Sequence, residues 1–199
     1  MTKISNKMKM TIEKGPTVIA SRTVEVNPML CTGCRLCEIA CSLKKTGIVY
    51  PSASRIRVYQ FDPGPMDVPV VCHQCLSYPC QAACPRKVSA ISVDAFTNAI
   101  KIDETKCVGV KCSLCQKSCP QEVAITFHPE TKKALVCDLC DGDPECVKVC
   151  PAGALSFVGG GFFDGCHSAY PPGVIAERLA LQFYPAKRNK YEIERKVRK

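Results

Sequence analysis

Sixteen of the seventeen cysteines in this chain of 199 residues fall into four groups of four. The groups are Cys31-x2-Cys34-x2-Cys37-x3-Cys41, Cys72-x2-Cys75-x4-Cys80-x3-Cys84, Cys107-x4-Cys112-x2-Cys115-x3-Cys119 and Cys137-x2-Cys140-x5-Cys146-x3-Cys150. The last three run directly into proline, at Pro85, Pro120 and Pro151, whereas the first runs into Ser42. A unit repeated four times in this way is the architecture itself. With only 7% aromatic residues and no Trp, the chain has little material for a large aromatic core. The cysteines must therefore staple it, through disulfides or through metal.

Disulfides require an oxidising compartment. Residues Met1 to Ala20 are polar and dotted with lysine, with neither an apolar stretch of signal-peptide length nor twin arginines. No window approaches a membrane span in apolar length. The expectation is a cytoplasmic protein whose thiols bind metal. Zinc is the next candidate, because C-x2-C pairs also make four-cysteine zinc sites. Zinc frameworks, however, present two pairs separated by a long spacer, whereas here a third cysteine recurs inside every loop and a fourth follows at x3.

That spacing suits a cubane [4Fe–4S] cluster. A C-x2-C-x2-C loop wraps three corners of the cube and aims backbone N–H groups at the sulfurs. The bacterial C-x2-C-x2-C-x3-C-P run sends its fourth cysteine to a neighbouring cluster. The stretch Cys107-x4-Cys112-x2-Cys115 also fits plant-type [2Fe–2S] spacing, but the Cys119-Pro120 ending and the fourfold repeat argue against that. The expected cofactors are four [4Fe–4S] clusters on the sixteen cysteines. The formal charge of +9 counts every thiol as neutral. Each cluster with its four thiolates adds about −2, so the loaded protein would sit near about +1. A general nucleic-acid surface is therefore not expected.

Each group follows a short β-prone run: Thr23–Val26, Val68–Val71, Ala99–Ile102 and Ala134–Val136. After the last three groups come the apolar segments Val88–Ile91, Val123–Ile125 and Ala154–Phe157. The x3 step predicts a helix of a turn or two carrying the fourth cysteine and ending near the proline. Residues Arg55–Phe61 alternate like an edge strand, and Asp62-Pro63-Gly64-Pro65 reads as a turn. The expected fold class is α+β, short strands and short helices stapled by four clusters. It divides into an N-terminal extension (1–22), a four-cluster domain (23–158) and a C-terminal segment (159–199). That last segment holds a glycine-rich loop, a helix with Ile175, Leu179 and Phe183 on one stripe, and a basic tail at Lys187–Lys199. The tail reads as a solvated run or as an arm docking on an acidic partner face.

Cys166 is left over; its plain reading is a buried or idle thiol, and the sharper one a role at a partner contact. His73 lies between cluster ligands, where it could tune a potential. His128 and His167 complete the histidines, and none is needed as a ligand. No Ser/His/Asp or Cys/His catalytic arrangement is readable, so the chain is expected to be non-catalytic.

Three phrases carry a family resemblance: Val70-Val71-Cys72-His73-Gln74-Cys75, Cys137-Asp138-Leu139-Cys140 and Cys31-Thr32-Gly33-Cys34-Arg35-Leu36-Cys37. Over Val24 to Phe157 the chain resembles the four-cluster electron-transfer subunits of molybdenum or tungsten pterin oxidoreductases, which include dimethyl sulfoxide reductase-type enzymes, formate dehydrogenases and some hydrogenase complexes. Around Arg55–Tyr59 and Asp67–Cys75 it looks more like the small subunits of tungsten aldehyde oxidoreductases. The resemblance implies a hetero-oligomer with a large pterin subunit, and a flavin subunit or ferredoxin as a further partner. It also implies a tandem bacterial ferredoxin-like fold, a double ferredoxin-like domain over 23–158, in which group one shares clusters with group four, and group two with group three. One cluster would then use Cys31, Cys34, Cys37 and Cys150, and another Cys137, Cys140, Cys146 and Cys41. A third would use Cys72, Cys75, Cys80 and Cys119, and the fourth Cys107, Cys112, Cys115 and Cys84. Spacing alone leaves the pairing of one with two and three with four open. A free polyferredoxin and a zinc-bound interaction module are the rival readings of function.

Overall fold

The computed structural model describes residues 22–61, 66–159, 170–183 and 195–196. The N-terminal extension up to residue 21, the Asp62–Pro65 turn, the glycine-rich loop with Cys166 and His167, and most of the basic tail lie outside the described residues. Nine short strands form four small antiparallel sheets among the described residues. Strand β1 (Arg22–Val26) pairs with β8 (Leu155–Gly159), setting Val24 opposite Phe157. This sheet joins the approach to the first cysteine group to the exit from the fourth.

Strands β2 (Ile56–Phe61) and β3 (Met66–Val71) form a hairpin. Val58 faces Pro69, and every residue of β3 is buried. The alternation in Arg55–Phe61 suggests an edge strand, but β2 is the middle strand. The two-residue β9 (Arg195–Lys196) pairs with it at Gln60 and Phe61. Two further hairpins repeat one design. Strand β4 (Ile91–Val93) pairs with β5 (Ile100–Ile102), and β6 (Thr126–Phe127) with β7 (Ala134–Leu135). Both β4 and β6 start later than the apolar runs suggest. After Pro85 the chain first turns, with the N–H groups of Val88 and Ser89 both donating to the Pro85 carbonyl. After Cys119 the Glu122 N–H closes a similar turn on the Cys119 carbonyl.

The helices differ from expectation in two ways. In α2 (Pro79–Ala83), α3 (Leu114–Lys117) and α4 (Glu145–Lys148) the helix carries the third cysteine of its group, not the fourth. Cys84, Cys119 and Cys150 lie just past the helix end, because the following proline forces the residue before it out of helical geometry. Helix α1 (Leu36–Thr46) instead runs for three turns and carries both Cys37 and Cys41. Ser42 stands where the other groups have proline, so the backbone ladder continues until Gly47 ends it in the left-handed region at φ 76°.

The main core gathers Val24, Ile56, Val71, Ile100, Ile125 and Leu139 around the buried cysteines Cys37, Cys41, Cys72, Cys80, Cys137 and Cys146. A second cluster lies where α5 (Pro172–Phe183) packs on the β2–β3 hairpin. Ile175, Ala176, Leu179 and Ala180 of α5 meet Phe61, Met66, Val68 and Val70 there. Burying Ile175 and Leu179 contributes about 1.5–3 kcal/mol each.

Candidate iron-sulfur centres

The fourfold repeat in sequence becomes a fourfold repeat in backbone. Two residues after the first cysteine of every group stands a residue with left-handed φ: Gly33 (66°), Gln74 (53°), Gly109 (76°) and Leu139 (57°). This turn curls the chain so that its own N–H points back at the sulfur. The N–H groups of Gly109 and Leu139 each lie 3.4 Å from the Sγ of Cys107 and Cys137. Gly33 and Gln74 donate in the same way to Cys31 and Cys72. A left-handed non-glycine residue costs about 1–2 kcal/mol, so Gln74 and Leu139 are held there by their surroundings. Gly33 and Gly109 need glycine for a second reason. A Cβ on Gly33 would meet the Asp67 carboxyl at 2.5 Å, and one on Gly109 the Lys132 carbonyl oxygen at 2.3 Å.

The sixteen described cysteines form no disulfides. They gather into four sets that mix the groups. Site one is a pocket lined by Cys31, Cys34, Cys37 and Cys150. Site two is lined by Cys41, Cys137, Cys140 and Cys146. Site four is lined by Cys84, Cys107, Cys112 and Cys115. In site three, Cys72 lies near Cys75 and Cys80, and Cys119 lies near both of those. The β1–β8 sheet and the α1–α4 contact draw groups one and four together. The α2–α3 contact does the same for groups two and three.

Four tetrahedral thiolates around one zinc stand about 3.8 Å apart, from a Zn–S bond of about 2.3 Å. Among the described residues no three His, Cys, Asp or Glu side chains are grouped so as to hold a single metal ion. The cysteines of sites one, two and four line the walls of pockets. Burial pushes the Cys37, Cys80 and Cys137 thiols up to about 12, with neighbouring cysteines and, for Cys37, the adjacent Glu38 adding to it. Cys72 and Cys146 are raised for the same first cause. Thiolates in such places require a cation to hold their charge, which iron would supply.

Around these sites lie groups that the motif alone does not flag. Gln74 is fully buried, its side-chain N–H donating to the Cys137 carbonyl at 2.7 Å while its oxygen accepts from the Ile100 N–H at 3.0 Å. It ties group two to group four and to β5. Glu38, beside Cys37, accepts the Val58 N–H at 2.7 Å. Asp138, between Cys137 and Cys140, takes Lys45 at 2.7 Å and Arg55 at 2.6 Å. Burial works against its charge, but the Lys45 hydrogen bond, the charges of Arg55 and Lys45 and the Cys140 N–H outweigh that and hold its carboxyl below the usual range. His73 is buried, which lowers its pKa. The cysteine spacing does not flag Gln74 or Lys45, since their partners lie far off in the chain, 26 and 63 positions away for Gln74 and 93 for Lys45.

Residues 66–159 match a family model described as a 4Fe-4S dicluster domain. The chain is 46% identical over 125 residues to the aliphatic sulfonate oxidoreductase polyferredoxin-like subunit of Pyrococcus furiosus, covering 63% of this chain and 69% of that protein. It is 32% identical to the B subunit of the Wolinella succinogenes polysulfide reductase, covering 64% of this chain and 71% of that protein. It is also 36% identical to the beta subunit of an NADH-dependent phenylglyoxylate dehydrogenase of Aromatoleum evansii, over 70% of this chain and 30% of that longer protein. The chain thus belongs to the 4Fe-4S dicluster ferredoxin-like family, the iron–sulfur electron-transfer subunits of oxidoreductase complexes. Within that family it is polyferredoxin-like and carries [4Fe–4S] clusters. Among the described residues no helix is long and apolar enough to cross a membrane.

Proposed function

We propose that this chain is the relay subunit of a cytoplasmic oxidoreductase complex and holds four [4Fe–4S] clusters at sites one to four, ligated by the sixteen cysteines as grouped above in a tandem double-ferredoxin arrangement. The single observation that carries this is the gathering of cysteines from distant groups into common pockets, such as Cys150 with Cys31, Cys34 and Cys37. Each cluster, when bound, accepts and releases one electron. The chain's own contribution is to hold the thiolates, aim N–H groups at sulfur and keep the sites in series. Cys146 of site two neighbours Cys37 of site one, Cys72 of site three neighbours Cys137 of site two, and Cys80 neighbours Cys115 of site four. The order one–two–three–four follows, with sites one and four at the ends.

The partner we infer is a catalytic subunit with a molybdenum or tungsten pterin, of the aldehyde oxidoreductase kind, with a second redox protein such as a flavin subunit or a ferredoxin at the other end. The names of the relatives, as subunits of an aliphatic sulfonate oxidoreductase and a polysulfide reductase, support a fixed place in a complex over a free polyferredoxin. Anaerobic purification of the tagged chain from its host tests this. The reading expects a stoichiometric large subunit containing tungsten or molybdenum. A chain isolated alone, or with a partner lacking both metals, would overturn the partner assignment.

A further inference from the structure

Two neighbouring sites sit in opposite electrostatic surroundings. Site two is bordered by Lys45 from α1, Arg55 from the segment before β2, and Asp138 from the cysteine loop. The three side chains are only 13%, 19% and 19% exposed, and Asp138 is bound by both cations at once. One carboxylate against two cations leaves a surplus of one positive charge. The same arm also contributes the Arg55 backbone N–H, which lies 3.3 Å from the Cys41 sulfur.

Site one has the reverse balance. Glu38 neighbours Cys37, and Asp67 neighbours Cys31. Arg35, which lines the pocket, pairs with Glu38 at 3.6 Å. The Asp67 side chain is buried, and its Oδ1 has no hydrogen-bond partner among the described residues. Two carboxyl groups against one cation leave one negative charge. The sites therefore differ by two unit charges in surroundings where bulk water screens weakly.

We infer that Lys45, Arg55 and Asp138 are positioning residues that set site two at a higher reduction potential than site one, so that an electron arriving at site one falls toward site two. This rests on the proposed ligation of site two by Cys41, Cys137, Cys140 and Cys146. The physical reason is that reduction adds one negative charge at the site, which a positive surplus favours and a negative surplus opposes. Both sites have backbone N–H donors to sulfur, but three of the four site-two cysteines are buried against one at site one, and burial opposes the negative charge added on reduction, so the charge difference must outweigh it.

The test is an EPR-monitored redox titration of the full chain, anaerobically reconstituted with iron and sulfide. The site-two signal is identified as the one removed by Cys41→Ser. Lys45→Met should lower the reduced-to-oxidised ratio at site two about tenfold at fixed potential, equal to about 59 mV for a one-electron couple. Asp138→Asn should raise that ratio by a similar factor, and Lys45→Arg should leave it within about twofold of native. Shifts of the same sign in both charge variants, or changes under about twofold, would overturn the inference. So would a native titration in which site one is reduced before site two. Loss of the site-two signal in Lys45→Met with retention in Lys45→Arg would make Lys45 a structural prop and would also overturn it. A native chain in which Cys41→Ser removes no four-iron signal would sink the ligation scheme itself, a distinct result.

Discussion

Gln74→Met is the substitution most informative about what holds the sites together. Gln74 bridges the Cys137 carbonyl and the Ile100 N–H from a fully buried position. Methionine has nearly the same length and keeps the packing, but it can satisfy neither group. A buried donor or acceptor left unpaired costs about 1–3 kcal/mol, so two of them cost roughly 2–6 kcal/mol. The left-handed backbone at this position adds no difference, since neither residue is glycine. For a chain of this size each kcal/mol moves a thermal midpoint by about 2–4 °C, giving a fall of roughly 4–24 °C. The assay is loss of the visible iron–sulfur absorption on anaerobic heating at one fixed scan rate, because cluster release makes unfolding irreversible. Gln81→Met is the control. The one hydrogen bond from its amide to the Ile91 carbonyl is long, at 3.4 Å, and only part-buried, so a drop of no more than a few degrees is expected. A Gln74→Met midpoint within about 2 °C of native, or a fall no larger than that of Gln81→Met, would refute the bridging role.

Gly109→Ala should disturb site four, since its Cβ would lie 2.3 Å from backbone oxygen at φ 76°; reconstituted protein should show fewer irons, and full iron content would contradict the close approach. Ser42→Pro should break α1 in its interior at a cost of about 3 kcal/mol or more, lowering the heat stability of the visible absorption. An unchanged midpoint would mean that the long helix is not needed. Cys41→Ser should weaken the site shared with Cys137, Cys140 and Cys146, leaving site three intact; loss of the signal that Cys72→Ser also removes would show that the groups pair differently.

The cysteine spacing is legible because each loop must close on itself within a few residues, so local chemistry dictates the order of cysteine, turn and short helix. The strands before the groups at Thr23–Val26 and Ala134–Val136 are legible for the same reason, as β-branched or apolar runs beside a constrained loop. Helix lengths are less so. The x3 step marks a helix near Cys84, Cys119 and Cys150, but the proline after each pushes that cysteine past the helix end, and replacing it by Ser42 lengthens α1 instead. The order of strands in the hairpin sheet depends on Arg195–Lys196, far away in the chain, and periodicity in Arg55–Phe61 carries no trace of it. The αL residues Gln74 and Leu139 defeat propensity reasoning, since tertiary contacts hold them against their local preference. Lys45, Arg55 and Asp138 read singly as ordinary surface charges. Their joint position beside one pocket becomes visible only when α1, the start of β2 and the fourth cysteine loop are seen together.

Iron and acid-labile sulfide analysis of the anaerobically reconstituted chain, with the reduced spectrum integrated against a spin standard, addresses the cluster assignment most directly. Four [4Fe–4S] clusters require about sixteen iron and sixteen sulfide per chain. About eight of each would mean that only two of the four cysteine sets act as cluster sites, and zinc in place of iron would contradict the account entirely.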